Sequence, residues 1–215
     1  MPDAQQPTPT DPAAAPKPRL PTDTEDGLLL IISGPSGVGK TTITRGVERA
    51  IPGSVFSVSA TTRPKTAADV EGVDYHFVSD EEFERMVAEH EFLEWANVFG
   101  KKYGTPRAWV AEQLDRGRLV ILEIDVEGAK QVKSKMPEAM GIFIMPPSED
   151  VLLERLRSRK REGEEAIQRR FAEAKREITE AKVCGAYDHF LVNDDLHATI
   201  AEAVRLVEQR RGSGR

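Results

Sequence analysis

The chain has 215 residues, enough for one full hydrophobic core with small insertions. Its net charge of −6 argues against a general nucleic-acid binder, and no apolar run approaches bilayer length, so neither nucleic acid nor membrane is an expected partner. The lone cysteine, Cys184, rules out an intramolecular disulfide and suits a reducing, cytoplasmic setting; it reads as a packing residue.

Residues 1–26 are proline-rich, with Ala, Thr, Asp and Gln making up most of the rest. They hold too little apolar surface to offset their ordering entropy and read as a disordered tail, with neither the apolar stretch of a signal peptide nor the basic character of a transit peptide. Leu28 to Ile32 is an unbroken apolar run, expected as a buried parallel strand. Gly34-Pro35-Ser36-Gly37-Val38-Gly39-Lys40-Thr41 follows and fits the phosphate-loop pattern G-x-x-x-x-G-K-[ST] at every fixed position. The spacing of Ile43, Val47, Ala50 and Ile51 then predicts a helix face. Strand, glycine loop and helix together form a cradle in which backbone N–H groups and the helix dipole meet a polyphosphate. Lys40 is expected on the β- and γ-phosphates of ATP and the Thr41 hydroxyl on a magnesium ion, with Thr42 adjoining.

Val55 to Ser59 predicts a second strand. Residues 60–105 break the rhythm with a polar loop, a strand at Tyr75–Val78, a helix capped by Ser79 with Glu82 as capping-box partner, and a short strand at Phe92–Ala96. Alternation resumes with a core strand over Leu119–Asp125, a helix from Glu127, a strand over Gly141–Met145 and a helix capped by Ser148. Ile167, Phe171, Ala174, Ile178 and Ala181 mark one face of a long helix over 164–183. Phe190–Val192 is a last strand, and Leu196, Ile200, Ala203, Val204 and Val207 line a closing helix. Repeated βα units imply an α/β fold: a mostly parallel sheet of phosphate-loop NTPase type, helices on both faces, ligands beyond the carboxyl ends of the strands.

Residues outside the loop leave alternatives open. Arg155 and Arg159 are i, i+4 neighbours on one helix face, but they sit in a charged run that reads equally well as solvated surface. Tyr75, Tyr103, Trp95 and Trp109 read as packing residues, and the four histidines show no metal spacing. Glu94 inside an aromatic strand is an odd choice for solvent and favours a functional reading.

Five further segments resemble the guanylate kinase family in order and spacing. They are Ser57-Val58-Ser59-Ala60-Thr61-Thr62-Arg63, Gly72-Val73-Asp74-Tyr75-His76-Phe77, Glu91-Phe92-Leu93-Glu94-Trp95-Ala96, Tyr103-Gly104-Thr105, and Ile124-Asp125 followed by Gly128. The resemblance implies that Ser59, Arg63, Tyr75 and Tyr103 hold the phosphate of GMP, and that Glu94 and Thr105 read its guanine. It places Asp125 between the loop lysine and the magnesium shell. Arg155, Arg159 and Arg170 would close over the transferring phosphate, and Asn193 would lie near the adenine. It implies a domain over 27–211: a core (27–59 and 106–211), a GMP-binding α+β subdomain (about 60–105) and a helical lid (about 148–170), with 212–215 fraying. The substrates would be ATP and GMP, with dGMP also admissible.

The chemistry agrees. A carboxylate accepts from guanine N1–H and its 2-amino group together, and adenine offers no such pair. Phosphoryl transfer between nucleotides needs alignment and charge neutralisation more than covalent help, which suits Lys40, magnesium and several arginines. Two positions depart from the family. Its second phosphate arginine, three residues after Arg63, is Thr66 here, with Lys65 beside it, so phosphate binding is expected weaker or rearranged. Two residues before Asp125 the family often has aspartate; Glu123 keeps the charge, and its longer side chain would face the GMP-binding loop. A non-catalytic interaction module of the same fold is the main rival, and the intact Lys40 and Thr41 argue against it.

Overall fold

The computed structural model describes residues 27–98, 100–158 and 163–212. The expected tail (1–26), Arg159 and the last three residues lie outside them.

The first sheet contains β1 (Leu28–Ser33), β2 (Val55–Phe56), β7 (Leu119–Glu123), β8 (Met140–Met145) and β9 (His189–Val192), in the order β2-β7-β1-β8-β9. Every pairing in it is parallel. All six residues of β1 are buried because the strand feeds two cores. Leu28, Leu30 and Ile32 pack on one side with α1 (Lys40–Ala50) and α7 (Leu196–Gly212). Leu29 and Ile31 pack on the other with α3 (Arg107–Asp115), α4 (Val126–Lys135) and α6 (Glu164–Val183). Two covered faces explain why this strand reads as a continuous apolar run and not as an alternation.

The second sheet has four strands in the order β4-β3-β6-β5: β3 (Ala60–Thr61), β4 (His76–Phe77), β5 (Phe92–Val98) and β6 (Lys101–Pro106). With α2 (Asp80–Ala88) it holds a small core of Ala60, Phe83 and Phe92. Helix α5 (Glu149–Ser158) packs Leu152 and Leu156 against Ile167 and Ala174 of α6.

Several expectations need correction. The strand expected over Val55–Ser59 stops at Phe56 because the chain changes sheets there. Ser57 N–H still donates to Ile121 O of β7, whereas Ser59 O already accepts from His76 N–H of the second sheet. Strands β3 and β6 and helix α3 were not expected. The β6 sequence, Lys-Lys-Tyr-Gly-Thr-Pro, has no apolar alternation and is set by its antiparallel neighbours β3 and β5. Helix α3 follows Pro106 without a side-chain cap. Ala50 is exposed and Ile51 lies past the end of α1; the buried face is Ile43, Thr44, Gly46 and Val47. Ser79 caps α2 at Glu82 N–H, 3.1 Å away, but the Glu82 carboxylate turns to Arg85 and completes no capping box. Trp95 is 39% exposed, edge-on to Phe83. Gly212, expected to fray, is the last residue of α7.

Close approach of β8 to the turn before β9 requires glycine at 141: a Cβ there would stand 2.2 Å from Ala186 O, a backbone atom that cannot rotate aside. At Gly46 the nearest atoms to a Cβ are all in the Ile200 side chain, from 2.5 to 3.1 Å away, with no backbone atom among them. Gly141→Ala should therefore destabilise the fold by about 1–3 kcal/mol, and thermal melting should drop by several degrees. Gly46→Ala, measured beside it, should cost less.

Candidate active site

The phosphate loop joins β1 to α1 at the carboxyl end of the first sheet. Gly39 has φ 100°, a region that side chains avoid, and a Cβ would lie 2.8 Å from Asn193 Nδ2. Lys40 folds back so that its ammonium donates to Gly34 O and Pro35 O. The Thr41 hydroxyl donates to Glu123 Oε1 at 2.8 Å. Thr42 is exposed.

A cleft of about 360 Å³, within the size range of small-molecule sites, runs from this loop to the second sheet. Gly34, Ser36 and Lys40 line one end; Ser59, Tyr75, Glu94 and Tyr103 line the other. Glu123, Asp125 and Glu177 lie in the same wall. Residues from four separated stretches of sequence thus share one cavity.

Glu94 is 4% exposed and accepts a 2.5 Å hydrogen bond from the Thr105 hydroxyl across the β5–β6 pair. Strict alternation would put Phe92 and Glu94 on one face. A register shift between them breaks it, so that Phe92 fills the small core while Glu94 faces the cleft. Burial pushes the Glu94 carboxyl up to about 7; the Thr105 hydrogen bond opposes this and the Asp125 charge adds to it. Gly128 makes room, since a Cβ there would stand 2.6 Å from Glu94 Oε2. Asp125 caps α4, accepting from Gly128 N–H at 2.8 Å.

Tyr75 and Tyr103 meet edge to face, with ring centroids 5.6 Å apart. Arg63 is not part of the cleft wall. Its guanidinium lies over the Tyr75 ring, 5.1 Å from the centroid, and forks onto Asp69. Lys65 Nζ is over the Phe77 ring at 5.9 Å, and the Thr66 hydroxyl donates to Asp69. Arg170 donates to the Ser36 hydroxyl, reaching the loop from α6. Arg155 donates to Asn193 O at 3.0 Å. Asn193 itself is buried beneath the loop, its amide donating to Val38 O at 2.8 Å, so it braces the loop and does not stand in the cleft. Glu123, expected on the GMP side, has its carboxylate on Thr41, with its charge still felt by Tyr75.

The sequence reading missed Glu177. Burial pushes its carboxyl up to about 7, partly offset by Lys40. The signal was available: Glu177 lies seven residues after Arg170, with Ala174 between, on the face of α6 that turns to the loop.

Among the described residues no three acidic, His or Cys side chains cluster as a metal site. Magnesium takes hard oxygen ligands and usually binds through one or two protein oxygens, completing its shell with phosphates and water. The Thr41–Glu123 pair beside Lys40 supplies such oxygens.

A phosphate loop at the end of a parallel sheet, facing a second sheet across a nucleotide-sized cleft, defines a phosphate-loop kinase. The sequence model of the family "Guanylate kinase" matches residues 27–210. The guanylate kinase of Symbiobacterium thermophilum is 48% identical over 187 residues, covering 86% of this chain and 87% of that protein. That of Gloeobacter violaceus is 51% identical over 179 residues, covering 83% and 86%. The crystal structure of guanylate kinase from Anaplasma phagocytophilum superposes with a TM-score of 0.67 at 34% identity, covering 87% of this chain and 88% of that one. The chain belongs to the guanylate kinase family, whose members are nucleoside monophosphate kinases.

The Glu94 carboxyl should titrate near pH 7 when followed by carbon-13 NMR, and Thr105→Val should move it higher by removing the hydroxyl donor. Because burial raises the folded-state value above the ordinary 4.5, this group favours the fold below about pH 4.5 and opposes it as pH climbs through about 7. Titration near 4.5 would contradict the buried geometry.

Proposed function

We propose that this protein transfers the γ-phosphoryl group of ATP to GMP, giving ADP and GDP, in the reducing interior of a cell. The observation that carries this reading is the shared cleft of Lys40 and Glu94: a phosphate loop at one end, a buried carboxylate shaped to accept hydrogen bonds at the other. A phosphate oxygen of GMP attacks the γ-phosphorus, the bond to the β–γ bridging oxygen breaks, and ADP leaves. The attacking oxygen belongs to the substrate, so the protein needs no nucleophile of its own.

The chain's own groups align and neutralise. The loop from Gly34 to Thr41 cradles the polyphosphate with its N–H groups. Lys40 exchanges its carbonyl partners for phosphate oxygens and follows the charge into the transition state. Arg170 already touches the loop at Ser36, and Arg155 stands over Asn193; both supply positive charge from the α5–α6 side. Ser59, Tyr75, Tyr103 and Arg63 hold the GMP phosphate. Glu94, as carboxylate, accepts from guanine N1–H and the 2-amino group, with Thr105 fixing its orientation. The Thr41 hydroxyl, together with the substrate phosphates, would hold magnesium, which would supply positive charge against the polyphosphate. Asp125 and Glu177 line the wall beside Lys40.

A coupled ADP-release assay with ATP, magnesium and a panel of GMP, dGMP, AMP, CMP and UMP tests the reading. GMP should exceed AMP in kcat/KM by several powers of ten, because adenine would leave the buried carboxylate unpaired. Equal turnover of GMP and AMP, or turnover of neither, would overturn it.

A further inference from the structure

The loop from Arg63 to Asp69 closes on itself. Asp69 Oδ1 and Oδ2 accept from Arg63 Nη2 and Nη1, both at 2.9 Å, and Pro64 O accepts from Nη1 at 3.1 Å. Asp69 Oδ2 also accepts from the Thr66 backbone N–H and hydroxyl, both at 2.7 Å, while Asp69 N–H donates to Thr66 O at 3.2 Å. Arg63 and Thr66 together hold the Asp69 carboxyl well below the usual carboxylate range.

A guanidinium has five N–H donors in a fixed plane. Asp69 and Pro64 engage three of them. The remaining two, on Nε and Nη2, have no partner among the described residues. They lie side by side on one edge, a spacing that matches two oxygens of a phosphate. The plane itself is held over the rings of Tyr75 and Phe77, with Cζ 5.1 and 5.4 Å from their centroids, and Tyr75 lines the cleft.

We propose that Asp69 is a positioning residue for the acceptor phosphate, acting through Arg63. It fixes the terminal edge of the guanidinium so that the Nε–Nη2 edge stays ready for the GMP phosphate. This rests on the GMP kinase reading. It also gives Thr66 a role: where the family pattern has a second arginine, this chain has the anchor of the Asp69 carboxylate. The opposite arrangement, Asp69 as an internal competitor that the phosphate displaces, requires a carboxylate free to leave. Here two hydrogen bonds from Thr66 and the Asp69 N–H bond to Thr66 O hold it independently of Arg63.

The test compares wild type, Asp69→Ala, Arg63→Ala, the double variant and Thr66→Val, with GMP varied at saturating ATP and the reverse. Direct calorimetric titration of GMP gives a readout separate from turnover. Asp69→Ala should raise KM and Kd for GMP about tenfold, the loss of one well-placed charge-assisted contact. KM for ATP should stay within about twofold, as should kcat, since the contact is made equally in ground and transition states. Thr66→Val should raise KM for GMP by a smaller factor. In the Arg63→Ala background, Asp69→Ala should add less than about twofold, because residues acting as one unit are not additive. Tighter or unchanged GMP binding in Asp69→Ala overturns the proposal, as does a full tenfold effect without Arg63. Either result with an active wild type leaves the GMP kinase reading standing, whereas a wild type inert toward GMP takes down both.

Discussion

The docking of β5 on α4 is the contact on which the cleft depends. Apart from it, the two sheets are joined mainly by the chain as it crosses at 57–59 and returns through Pro106. Gln131 of α4 clips the β5 backbone twice, accepting from Trp95 N–H at 3.2 Å and donating to Trp95 O at 2.8 Å. Lys135 donates to Leu93 O, and the Leu93 side chain is buried with Val126, Ala129 and Val132. This seam sets Glu94 against Gly128, one turn into the helix that Asp125 caps at the end of β7. The buried carboxylate is thereby held at a fixed place relative to the phosphate loop, as a group proposed to read a base must be relative to one proposed to hold a polyphosphate. Burying it is costly, and the Thr105 hydroxyl offsets only part of the cost. The site carries a penalty that a ligand with two N–H donors would relieve.

The cations of the site are not left to search for their partners. Lys40 rests on carbonyls of its own loop, Arg170 on the Ser36 hydroxyl, Arg155 on Asn193 O and Arg63 on Asp69. Each is held by protein acceptors near the place where phosphate charge would arrive. For Lys40, Arg155 and Arg170, ligand binding would exchange one set of hydrogen bonds for another with little rearrangement, while Arg63 would keep Asp69 and offer its other edge; such preorganisation is the condition under which electrostatic stabilisation of a transition state is most effective. The acidic residues of the wall, Glu123, Asp125 and Glu177, lie among these cations and keep the cleft from being uniformly positive.

How much of this could be read from sequence follows from where each element's information lies. β1, β7 and β8 are buried on both faces, so their composition alone declares them. The phosphate loop is contiguous, and its glycines are needed locally. The second sheet is the reverse case: Ala60–Thr61 is two residues long, and Lys101–Pro106 is a strand only because β3 and β5 flank it. The cleft-lining side chains in and beside it, Ser59, Tyr75, Glu94 and Tyr103, are brought together in sequence only by family resemblance, since nothing in their own spacing predicts that they converge. Asn193 was read as a nucleotide neighbour and lies beneath the loop, a burial that its polar surroundings in the sequence conceal. Asp69 and Glu177 are legible only in the fold, where the loop brings the Asp69 carboxylate onto Arg63 and α6 brings Glu177 within the field of Lys40.

The central claim is that the Glu94 carboxylate, placed by the β5–α4 seam, pairs with the N1–H and 2-amino group of guanine. Its most direct test is a cycle between protein and base: wild type and Glu94→Gln, each assayed with GMP and with inosine monophosphate, which lacks the 2-amino group. Glutamine keeps the shape and the oxygen that Thr105 needs, but not the charge. In wild type, loss of the 2-amino group should lower kcat/KM by about tenfold or more, the worth of one charge-assisted hydrogen bond. In Glu94→Gln the two substrates should differ by less than about threefold, the interaction having been removed already. The same ratio of GMP to inosine monophosphate in both proteins would contradict the account, because the 2-amino group would then be read somewhere other than Glu94.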